Sequence, residues 1–173
     1  MKWIITGFGP FPGVERNPSA ELVKTTRHTA TILDVTFQAV DEFITELAQQ
    51  QWDAWLMVGV SGKADSLLLE TVGRNIVGLT PDAAGVIAPG PINPALPHQL
   101  GASLWHGFNG IAPEGTAWST DAGTYLCNYT LYRGLSAFPG RQIGFLHIPT
   151  FDVTPMNHQT SYFNNLISCL ESG

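Results

Sequence analysis

The chain has 173 residues, 44% of them hydrophobic, and a formal net charge of −6. That length suits one domain over residues 1–173 with a core large enough to need no metal or disulfide. Only 13% of the residues are charged and the eight Lys and Arg form no run, which speaks against nucleic acid and anionic membranes as partners.

Trp3-Ile4-Ile5 reads as an interior strand that ends at Thr6-Gly7. Lys2 precedes it, but the apolar stretch is too short for an ordinary signal peptide. Gly7 to Gly13 follows as a loop with three Gly and two Pro. Its two aromatics, Phe8 and Phe11, either cap the core or wall an apolar pocket. Asn17-Pro18-Ser19 marks a helix start, with Pro near the first helical position. Residues 31–37 read as a strand. Residues 41–50 carry Phe43, Ile44, Leu47 and Ala48 at helical spacing. Residues 54–58 form an apolar strand bounded by Gly59, and Gly59 to Gly62 a turn. Even the apolar run 54–60 is too short to span a bilayer. Apolar strands alternating with helices predict a mostly parallel sheet with helices on both faces, in an α/β protein.

Residues 81–94 are rich in Gly and Pro and predict a long loop, of a kind that is often functional. Residues 96–108 fit a helix. Asp121 or Thr124 could cap a helix running through Cys127. Residues 143–148 read as a strand closed by Pro149. A last helix is expected over 154–170, entered through Pro155.

Two cysteines are too few for a disulfide scaffold. There is no Cys-x-x-Cys or His-Glu-x-x-His pattern, and the five His are not at metal-ligand spacing, so no metal is expected. Three residues could make a thiol site instead. Cys127 is either a small core residue or a nucleophile near a helix amino end, where free N–H groups and the dipole favour the thiolate. His147 is the polar residue of an apolar strand, either a satisfied core histidine or a base at the carboxyl end of a sheet strand. Glu70 lies among apolar neighbours; it faces water from an edge strand or is buried with a partner. A histidine partner would turn the three into nucleophile, base and orienting acid.

Five ordered segments resemble the pyroglutamyl peptidase I family of cysteine peptidases. They are Thr6-Gly7-Phe8-Gly9-Pro10-Phe11 with Asn17-Pro18, Val58-Gly59, Glu70 with Asn75, Asp121 to Tyr129, and Gly144 to Pro149. The resemblance implies a single α/β/α sandwich, a triad of Glu70, Cys127 and His147, and no cofactor. It implies peptides with an N-terminal pyroglutamyl residue as substrates. The lactam would lie between Phe8, Phe11 and Tyr125, with backbone groups around Val60 and Leu126 beside it and Asn17 supporting the region. A homo-oligomer is compatible with the family, and a thiol that must stay reduced fits the cytoplasm. The chain departs from the family pattern where an arginine usually stands about ten residues after the glutamate; here the stretch is Gly78 to Asp82. Arg74 could reach the site in its place or face solvent. Cys169 has no family role. Three other readings stay open: a non-catalytic relative that binds blocked peptides or small amides, another amide or ester hydrolase, and a partner-binding protein with Cys127 sealed from solvent.

Overall fold

Trp3–Phe8 (β1) is buried at every position, as a strand covered on both faces must be. The computed structural model describes residues 1–172. After β1 come Pro18–Val23 (α1), Thr29–Leu33 (β2), Phe37–Leu47 (α2), Ala54–Val60 (β3), Leu67–Glu70 (β4) and Val72–Arg74 (β5). Gln99–Gly101 (β6), Thr116–Ser119 (β7), Leu126–Ala137 (α3), Gln142–Ile148 (β8) and Met156–Ser172 (α4) complete the order. Six strands form one sheet in the order β2-β1-β3-β8-β4-β7. Every neighbouring pair in it is parallel except β4 with β8. Strands β5 and β6 make a separate antiparallel pair.

Register explains how the layers divide. Thr6 on β1 pairs with Met57 on β3, so Gly7 and Gly59 point to opposite faces. A side chain at Gly7 would strike the Ser19 carbonyl of α1, and one at Gly59 would strike Cys127 of α3. Helix α1 also touches α4, and α3 touches α2. The sheet is thus the middle layer of an α/β/α sandwich. Helix α2 earns its place by burying Phe37, Val40, Phe43, Ile44 and Leu47 along one stripe. No helix of the described residues is long and apolar enough to cross a membrane.

Several expectations need correction. Strand β1 runs on through Gly7 to Phe8, because these residues pair with Ile32 and Leu33 of β2, and Ser19 Oγ accepts the Phe8 N–H at 3.0 Å. The expected strand at 31–37 ends at Leu33. Thr36 instead caps α2 by accepting the Ala39 N–H at 3.1 Å, so the helix starts four residues earlier than its apolar spacing suggests. Strand β3 likewise extends through Gly59 to Val60. No α-helix forms over 96–108. Residues 99–101 pair with β5, and only His106–Phe108 make a short 3₁₀ turn.

The reason for that irregular stretch lies in Trp105. Its indole N–H donates to the Glu70 carbonyl at 2.9 Å, and its ring lies over Gly144 of β8. A Cβ at Gly144 would come within 2.6 Å of that ring and 2.9 Å of Leu104 Cβ. Gly144→Ala should therefore lower the stability by about 1–3 kcal/mol, the usual cost of overpacking. Urea denaturation measures it.

Candidate active site

Three side chains meet over the middle of the sheet. Antiparallel pairing sets Glu70 opposite Phe145 and Leu68 opposite His147. Glu70 and His147 therefore share a face as diagonal neighbours, within reach of long side chains. Glu70 Oε1 lies 2.7 Å from His147 Nδ1. Glu70 is fully buried, and its Oε2 has no partner among the described residues. A carboxylate in that position is costly unless a charge faces it.

On the other side of β8, His147 is in register with Gly59 of β3. The missing side chain at Gly59 is the slot for Cys127: a Cβ there would be 2.9 Å from Cys127 Sγ and 2.7 Å from Phe145 Cζ. The thiol is half-buried and reaches the imidazole. Burial pushes the His147 pKa down, but the charge of Cys127, its hydrogen bond and the Glu70 carboxylate together lift it to about 10. The imidazole is consequently held charged between the Cys127 sulfur and the Glu70 carboxyl group. The Phe145 ring, 4.9 Å away between centroids, floors it.

Beside the thiol is a pocket of about 80 Å³. It is well below the usual size of ligand pockets, about 300 to 1,000 Å³, so it suits only a small group. Phe8, Phe11, Asn17, Val60, Tyr125, Leu126 and Cys127 line it. All six residues expected to contact substrate are thus brought to one cavity with the thiol. Val35 is a further apolar wall residue without a signal in the sequence; it lies in the bend before α2, within the stretch 31–37 expected as strand. Asn17 spends its polar atoms on the surrounding backbone: Nδ2 donates to the Gly9 carbonyl and Oδ1 accepts from Ser19. It holds the first loop in shape, and Pro18 starts α1 directly behind it.

Neither Asp121 nor Thr124 caps α3. Tyr125 is the cap residue, and no side chain bonds to the first turn. Asp121 accepts the Gly123 N–H and pairs with Arg74. Arg74 also donates to the Gly123 carbonyl at 3.0 Å, while its backbone is gripped by Asn128. Arg74 does not line the pocket; it clamps the loop that leads into Cys127. Neither of the two outcomes open from sequence, the site or solvent, is the one found, and the partner lies 47 residues away. Cys169 is exposed on α4, away from this cavity.

A thiol held against a charged imidazole is equipped for attack on an acyl carbon, which is the chemistry of the cysteine hydrolases. Comparison with known proteins narrows the class. The family pattern described as pyroglutamyl peptidase matches residues 1–162, and the chain belongs to that family. A pyrrolidone-carboxylate peptidase of Levilactobacillus brevis is 34% identical over 167 residues, covering 86% of this chain and 82% of that protein. One from Thermococcus onnurineus is 32% identical, covering 86% and 84%. The crystal structure of pyrrolidone carboxyl peptidase from Thermus thermophilus superposes with a TM-score of 0.77 at 27% identity, covering 93% and 96% of the two chains.

The charge on His147 can be followed by NMR. Its ring should keep the proton to about pH 10. Glu70→Gln removes the carboxyl group that helps to raise it, and the titration should fall by about 1–3 units.

Proposed function

We propose that the chain is a cysteine omega-peptidase that hydrolyses the amide bond after an N-terminal pyroglutamyl residue. The observation that carries this reading is a small pocket without a charged side chain, opening directly onto a thiol paired with an imidazole. Pyroglutamate has no charged amine, so its recognition calls for an apolar slot and a few amide partners.

In the mechanism, Cys127 attacks the carbonyl that joins the lactam residue to the next one. The uncapped first turn of α3 leaves its N–H groups free to stabilise the oxyanion, which explains why a capping side chain would be a disadvantage there. His147 gives its proton to the leaving amine. It then takes one from the water that hydrolyses the thioester. Glu70 fixes the ring so that Nε2 faces the sulfur, and it stabilises the charged imidazole. Arg74 acts through the loop it clamps, as a positioning residue. The substrates are peptides with N-terminal pyroglutamate. A thiol that must stay reduced suits a reducing compartment such as the cytoplasm.

Release of a fluorescent amine from a pyroglutamyl amide tests the reading. The parent should turn over, and Cys127→Ala should lose nearly all activity while keeping its fold. The matching prolyl amide should be refused, because it lacks the ring carbonyl and leaves polar partners unpaired. Parent-level turnover by the Ala variant would rule out Cys127 as nucleophile.

Arg74→Ala separates position from stability. The Arg74–Asp121 pair is partly exposed and should be worth under about 1 kcal/mol to the fold. Loosening the nucleophile's loop should nevertheless cut kcat/KM by about tenfold or more. Equal rates for parent and variant would show that the loop holds its place without the guanidinium.

A further inference from the structure

Nine large hydrophobic side chains are exposed among the described residues, and four of them, Ile76, Leu79, Val86 and Ile87, fall within one twelve-residue stretch. Leu79 is 76% exposed and Ile87 52%. From Ile76 to Pro91 the only charged residue is Asp82. That carboxylate is buried and already committed, accepting the N–H groups of Phe37, Ala84 and Val86 at 2.9–3.0 Å.

This strap is tied to the wall of the pocket at several points. The Tyr125 hydroxyl donates to the Pro81 carbonyl at 3.1 Å, and the Ala83 N–H donates to the Val35 carbonyl at 2.9 Å. Both Tyr125 and Val35 line the cavity. The Gly78 N–H donates to the Thr124 carbonyl at 2.7 Å, close enough that a side chain at Gly78 would collide with Thr124. Val77 and Gly90 exchange two backbone hydrogen bonds at 2.8 and 2.9 Å, which closes the strap into a ring of its own. An apolar surface is thus held rigidly next to the nucleophile's loop, with its hydrophobic side chains turned outward.

We propose that this strap receives the side chain that follows the pyroglutamyl residue, and that it selects large apolar side chains at that position. The inference rests on the pyroglutamyl reading. The cavity has room for little more than the ring, so the residue beyond the cleaved bond lies outside its mouth. The strap continues the pocket wall through Tyr125. It offers apolar area without a free charge, so an acidic side chain gains nothing on it, and the chain's own charge of −6 opposes such a side chain. A preorganised apolar surface also takes its partner without an ordering cost.

The test uses the full, reduced chain and three substrates, pyroglutamyl-Phe-amide, pyroglutamyl-Gly-amide and pyroglutamyl-Asp-amide, with release of the amino-acid amide as readout. The expected kcat/KM for Phe exceeds that for Gly by about tenfold or more. A Leu79→Ser, Ile87→Ser double variant, both changes at exposed positions, should bring that ratio towards one. Leu79→Lys should narrow the gap between Phe and Asp. Equal kcat/KM for Phe and Gly in the parent overturns the inference alone. An unchanged ratio in the double variant, with a loss of self-association in sedimentation, makes the strap a contact between copies and overturns it as well. No turnover on any of the three substrates overturns the pyroglutamyl reading, and this inference with it.

Discussion

A carboxylate with no exposure to water stands at the centre of this molecule. A buried carboxylate is costly unless a positive charge faces it, and the His147 imidazole lies 2.7 Å from Glu70 Oε1. The sheet is arranged around the requirement. Strand β4 runs against β8 while every other neighbour in the sheet is parallel. That reversal brings the carboxyl-terminal residue of β4 down beside Phe145, beneath the imidazole, where a parallel strand would carry its end up toward the pocket. Trp105 then seals the arrangement from behind by bonding the Glu70 carbonyl and packing over Gly144. The reversed strand, the buried indole and the glycine in the middle of β8 thus all meet at Glu70 and its neighbour on β8.

Much of the architecture was legible because parallel strands leave a plain signature. The runs at 3–5, 54–58 and 143–148 are apolar without alternation, and each is a buried central strand. Helical spacing of apolar residues located α2, and the last helix was expected behind Pro155. What failed was local structure set from a distance. Residues 99–101 form a strand because β5 offers a partner more than twenty residues earlier, and Trp105 is drawn to a carbonyl 35 residues away. Nothing in the window 96–108 carries that information, so its apolar residues look like a helix face.

The site divides in the same way. Glu70, Cys127 and His147 stood out as polar or reactive groups in apolar surroundings, and that contrast is local. Val35 did not stand out, because an apolar residue after an apolar strand has no contrast to offer. Arg74 was ambiguous for a different reason: its side chain is long enough to choose between water and a partner, and the partner, Asp121, is brought near only by the packing of α3 on β5. The strap from residue 81 onward was recognisable as a loop, part of the stretch 81–94 rich in Gly and Pro. Its rigidity comes from Asp82, one carboxylate that stands in for three backbone partners.

The slot at Gly59 has a stereochemical consequence. The sulfur of Cys127 rests on the bare backbone of β3, with the His147 imidazole beside it, so the sheet blocks one whole hemisphere around the reactive atom. An acyl group joined to that sulfur can extend only toward the cavity between Phe8, Phe11 and Tyr125. The direction from which the sulfur can be approached is therefore set by the sheet, at a position with no side chain at all.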